Sequence, residues 1–83
     1  MMNKYKRLEE YLNVQTNPRV TLAFEQIEDI LGFQLPPKAR TEPQWWNNTI
    51  SDSESQAIAW LKVFRRVSHV KPGERVTFVR AIL

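Results

Sequence analysis

Arg66-Val67-Ser68-His69-Val70-Lys71-Pro72-Gly73-Glu74-Arg75-Val76-Thr77-Phe78-Val79-Arg80 reads as two β-rich runs around a tight turn, and this stretch decides the fold. In Lys71-Pro72-Gly73-Glu74, Pro fixes φ at the second position and Gly accepts φ > 0 at the third, the signature of a type II turn. Residues 66–70 and 75–80 are therefore predicted to pair as an antiparallel hairpin. Arg19-Val20-Thr21-Leu22-Ala23-Phe24 alternates in the same way, with Val20, Leu22 and Phe24 on one face, and is expected alongside as a further short strand.

The rest of the chain reads as helices around that sheet. Tyr5, Leu8, Leu12 and Gln15 fall on one helical stripe, predicting an amphipathic helix over 4–15 that Thr16-Asn17-Pro18 ends. Phe24, Ile27, Ile30 and Leu31 recur at helical spacing and Gly32 stands as terminator. Pro36-Pro37 opens a brief turn through Lys38-Ala39-Arg40, and Pro43 breaks it, leaving the tryptophans on an irregular or newly started turn. A helix over 53–64 is predicted to bury Ala57, Ile58, Leu61 and Phe64, with Trp60 at the edge and Ser51, Asp52 or Ser53 as its cap. The fold class is thus α+β, one small single domain over residues 1–83. Its order of helix, strand, helix, helix and C-terminal hairpin is that of a winged helix-turn-helix.

Composition narrows the function classes. The chain of 83 residues carries nine aromatics, enough for a compact core, and no cysteine, which excludes disulfides and thiolate metal sites. With one histidine, no metal or other cofactor is expected. His69 has no nucleophile and orienting group grouped with it in the sequence and reads as a structural or surface residue, so no enzyme is expected. The paired carboxylates Glu9/Glu10 and Glu28/Asp29 fall on outward helix faces. Nothing resembles a signal peptide or membrane span, which points to the cytoplasm and to no membrane partner.

Charge is distributed unevenly. From Lys62 onward, Lys62, Arg65, Arg66, Lys71, Arg75 and Arg80 face only Glu74, six cations against one carboxylate or +5, while the first sixty-one residues sum to −2 within a total of +3. Such asymmetry suits a module that meets a polyanion with one face, although arginines paired with the acidic half would show the same composition. With 53–64 as recognition helix, Ser55, Ala59, Lys62 and Arg66 form its outward stripe. Ser55, Lys62, Arg65, Arg66, Lys71 and Arg75 then become nucleic-acid contacts, with DNA favoured over RNA.

Trp45-Trp46 adds a second signal. Adjacent side chains diverge by about 100° on a helix and face opposite ways on a strand, so one ring is expected in the core and the other partly exposed. Trp46, nearer the turn into the last helix, is the expected buried ring. Trp45, flanked by Gln44, Asn47 and Asn48, then stacks a base while Asn47 reads its edge, or else anchors a protein partner. A ring lying flat over residues 49–53 is the plainer alternative.

Finally, Trp45-Trp46-Asn47, Ser55-Gln56-Ala57-Ile58-Ala59-Trp60-Leu61 and Val67 resemble a family of small bacterial and phage domains of unknown function. The likeness extends through Tyr5, Leu8, Tyr11 and Leu12, then Val20-Thr21-Leu22, Ile27-Glu28-Asp29-Ile30-Leu31-Gly32, Leu35-Pro36, Ala39-Arg40 and Val76-Thr77-Phe78. The chain departs from that pattern where the family has His before Ser-Gln, here Glu54, and Gly-Trp before the strand, here Phe64-Arg65. The resemblance implies a shared fold and no activity. The expected function is a non-enzymatic nucleic-acid-binding module, with a protein-interaction module or small phage or mobile-element regulator as the alternative.

Overall fold

The structure is a computed structural model that describes residues 3–81. In chain order it contains α1 (Lys6–Asn13), β1 (Arg19–Ala23), α2 (Phe24–Leu31), α3 (Pro37–Thr41), a 3-10 turn (Pro43–Trp46), α4 (Ile58–Leu61), β2 (Arg65–Lys71) and β3 (Arg75–Arg80). The strands form one antiparallel sheet in the order β1-β3-β2, so the last strand lies in the middle. The predicted hairpin is present, with Gly73 at φ 75° and the Glu74 N–H donating to the Lys71 carbonyl at 3.0 Å. The fold is α+β.

Register assigns the sheet two unlike faces, because directly opposed residues of antiparallel strands share a side. Val20, Phe78 and Val67 form one apolar row and Leu22, Val76 and Val70 the next. Helices cover these rows, with α2 beside β1, α4 beside β2 and α1 packed across both helices. At the centre lies Trp46, 2% exposed, its ring 5.8 Å from Trp60 in a stack, 5.6 Å from Phe24 and 6.5 Å from Phe78. Its indole Nε1 donates to the Ala39 carbonyl at 2.8 Å, so α3 holds the polar end of a ring that is otherwise apolar on all sides.

The short elements are fixed by local chemistry. Gln26 Oε1 accepts the Ala23 N–H at 2.8 Å and closes the first turn of α2, and Gly32 at φ 84° ends that helix as the sequence predicts. Glu28 ties the following connector down, its carboxylate accepting the Leu35 N–H at 2.8 Å and pairing with Arg40. That N–H bond first, and Arg40 second, hold the Glu28 carboxyl below the usual carboxylate range, because both favour its charged form.

The helix predicted over 53–64 differs most from the structure. Only Ile58–Leu61 is α-helical. Ser55 Oγ accepts the N–H groups of Ser51 at 2.9 Å and Asp52 at 3.0 Å, and Asp52 Oδ1 accepts that of Glu54 at 2.8 Å. These side chains satisfy backbone donors in a folded loop and delay the helix, the competition expected of Ser and Asp. The first turns then run through 3-10-type bonds, Ile58 to Ser55, Ala59 to Gln56 and Trp60 to Ala57, which rotates the buried side. Ala57, Ala59 and Trp60 are buried, Ile58 and Leu61 are half-buried, and Phe64 is 63% exposed. Trp60 is thus central to the core, where the sequence placed it at the edge.

Phe64 also has φ 62°, the one non-glycine residue with positive φ among those described. A bulky side chain there is an outlier that costs on the order of 1–3 kcal/mol. It occupies the left-handed position that ends the α4 segment, a place glycine ordinarily fills.

Candidate functional site

The uncovered face of the sheet carries three rows: Arg19, Val79 and Arg66; Thr21, Thr77 and His69; Ala23, Arg75 and Lys71. Arg19, Thr21, Arg66, His69, Lys71 and Arg75 are exposed. Four cations therefore stand on a surface whose nine positions include no carboxylate. Strand geometry sets their spacing: Arg19 and Arg66 are separated by two interstrand gaps, about 10 Å, and the Arg75–Lys71 row lies four residues along, about 13 Å away. Between them Thr21 Oγ1 and the buried Thr77 Oγ1 hydrogen-bond at 3.0 Å, and His69 completes the central row. At the hairpin tip Glu74 pairs with Lys71 and with Arg75, each at 3.0 Å, and moderates the charge of that end. Those pairs are half-exposed, so they compete weakly with a polyanion.

The expected contacts divide. Arg66, Lys71 and Arg75 are brought together on this face, and Lys62 is exposed at the end of α4. Arg65 is not available. Its side chain is buried, 2% exposed, with Nη2 donating to the carbonyls of Asn17 at 2.8 Å and Gln15 at 3.0 Å and Nη1 reaching that of Pro18 at 3.4 Å. Alternation sends Arg65 and Arg66 to opposite faces, so one latches the α1–β1 loop and the other meets solvent. Burial, with the neighbouring Arg80 charge second, pulls the Arg65 pKa below the ordinary guanidinium value. Ser55 is likewise buried, 7% exposed, and its hydroxyl serves the 51–55 loop. Ala59, expected on the same outward stripe, is in the core.

Trp45 is half-buried. It is the partly exposed ring of the pair, as expected, and it meets Trp46 edge-on at 4.7 Å and Tyr5 at 5.9 Å, closing the side of the core. Asn47 is exposed and lines a shallow cleft of about 260 Å³ with Asn48, Ser68 and His69, which sets it beside the basic face. Asn48 has a different task. Its carboxamide accepts the Val67 N–H at 2.8 Å and donates to the Val67 carbonyl at 3.0 Å, capping the open edge of β2, and its Oδ1 also accepts Trp60 Nε1 at 2.9 Å.

Sequence reasoning missed Arg19, Thr21 and Thr77 as members of the face. The signal was present as i, i+2 alternation in β1 and β3, but pairing β1 to the central β3 is a long-range fact. Among the described residues, no group of three or more His, Cys, Asp or Glu is placed to hold a metal, and no helix is long and apolar enough to cross a membrane.

Comparison with known families adds one finding, a match of residues 5–82 to the family described as Domain of unknown function (DUF7662). The chain belongs to that family. No curated protein and no solved structure matches it. The DUF7662 assignment agrees with the resemblance to a small domain of unknown function and spans the helical layer and the open sheet alike.

Proposed function

We propose that this DUF7662 domain is a non-enzymatic nucleic-acid-binding module, DNA ahead of RNA, that applies its open sheet face to the sugar-phosphate backbone. The observation that carries the reading is the clustering of Arg19, Arg66, Lys71 and Arg75 on one uncovered surface without a carboxylate among its nine positions. Guanidinium groups at both edges present several donors each to phosphate oxygens, and the exposed Thr21 offers a hydroxyl between them. Lys62 and Asn47 extend the surface at its margin. The winged-helix likeness enters only through the hairpin, since β1 takes the part expected of residues 53–64.

Oligonucleotide titrations at two salt concentrations test it. Four contacted phosphates give a log–log slope of affinity against salt of about −3 on single strands, at roughly −0.7 for each contact. Replacing Arg19 and Arg66 together by Ala is expected to halve that slope. Affinity that is absent at low salt, or indifferent to salt, would leave the protein-interaction module as the better reading.

A further inference from the structure

Phe64 is 63% exposed and held at φ 62°, and it sits where the basic face ends. Its carbonyl accepts the Ala81 N–H at 2.7 Å, which continues the β2–β3 ladder one step beyond the Arg65–Arg80 pair. Two residues on, Arg66 opens the row that it shares with Val79 and Arg19. An aromatic side chain is therefore fixed to the rigid end of a sheet, within reach of the same ligand that the Arg66–Arg19 row would hold. The other exposed apolar residues, Val14 and Ile50, have no such placement.

We propose that the ligand is single-stranded nucleic acid and that Phe64 is the platform on which an unpaired base stacks, an inference that rests on the backbone-binding reading above. Charge complementarity selects the occupant. Arg19, Arg66, Lys71 and Arg75 suit a phosphate chain and would leave a neutral protein surface with desolvated cations. Strandedness follows from the ring. In a duplex each base is already stacked on its neighbours, whereas a single strand offers a free π-face, and combining a cationic track with an aromatic surface is the general design of single-strand binders. Stacking also needs no particular base, in keeping with a site whose polar groups between the cations are two threonine hydroxyls and the His69 imidazole.

The test compares a labelled thymidine dodecamer with an abasic oligonucleotide of equal length, which keeps the phosphates and lacks the bases. Wild-type protein is expected to prefer the thymidine strand. Phe64→Gly, which relieves the left-handed backbone, is expected to lower thymidine-strand affinity roughly tenfold and abolish the preference, while Phe64→Tyr retains it. If wild type binds both strands equally and with a steep salt dependence, stacking is overturned and backbone binding stands. If a duplex competes better than the single strand, the assignment to single strands is overturned. If neither oligonucleotide binds at low salt, both readings fall.

Discussion

The two faces of the sheet obey different rules although the same three strands build them. On the covered face every ring and branched side chain is held by several neighbours, and even polar atoms have fixed partners: Trp46 Nε1 on Ala39, Trp60 Nε1 on Asn48, the Arg65 guanidinium on three carbonyls. On the open face all but the buried Thr77 and the half-buried Ala23 and Val79 stand in solvent, and the fold asks little of the exposed side chains beyond strand propensity and solubility. Four cations, with Glu74 at the hairpin tip paired to two of them, are not needed for either. A position free of structural duty that still shows a consistent chemistry is where function is best sought.

The sharpest way to break this contrast is to cut the covered face. Trp46→Ala removes the ring that touches Phe24, Trp45, Trp60 and Phe78 and leaves the Ala39 carbonyl without its donor. The expected loss is roughly 3–5 kcal/mol, against a typical total of about 5–15 kcal/mol, so the domain is expected to be largely unfolded by thermal melting. Trp45→Ala should cost about 1–2 kcal/mol, since its ring is only half-buried. Equal losses would show that the pair closes the core as a unit.

Arg65 and Arg66 give the second comparison, one residue apart and on opposite faces. Arg65→Ala orphans the carbonyls of Gln15, Asn17 and Pro18 and empties a buried site, for an expected loss of roughly 2–4 kcal/mol. Arg66→Ala should change stability by less than about 0.5 kcal/mol while weakening oligonucleotide binding. Denaturant midpoints of the two variants measure the difference directly. A destabilised Arg66→Ala would mean that the open face has a structural role after all.

The pair also shows how far the sequence could be read. The hairpin, β1, the end of α2 at Gly32 and the burial of Trp46 follow from local signals, because turn residues and period-two or helical patterns act over a few positions. Arg65 and Ser55 could not be placed in that way. A net charge of +5 says that cations are present and not which of them the fold consumes; Arg65 is claimed by carbonyls nearly fifty residues earlier in the chain. Residues 53–64 misled for a different reason: the serines satisfy their own loop, and the 3-10 bonds that follow bring Ala59 inward and leave Phe64 outside, which helical spacing does not anticipate. For Phe64 a signal did exist, since the resembling pattern has Gly there and glycine in such a place points to a left-handed backbone.

Acid gives the smallest expected effect and probes the helical layer, because the carboxylate beside the open face, Glu74, is half-exposed at the hairpin tip, whereas Glu28 of the helical layer ties down a connector. With its folded pKa held below the unfolded value by the Leu35 N–H and Arg40, Glu28 contributes stability that is fully present above the unfolded pKa of about 4.3 and is lost as pH falls through the lower folded value. Glu28→Gln keeps an acceptor for Leu35 and removes the charge, so at pH 7 the expected cost is about 1 kcal/mol. That difference should narrow as pH falls below the unfolded value toward the lower folded one, and vanish once the wild-type carboxyl is protonated as well. Urea midpoints of the two proteins across that range measure it. A gap that stayed constant with pH would assign the effect to amide packing in place of the carboxylate, and the helical layer would then owe its hold on the connector to geometry alone.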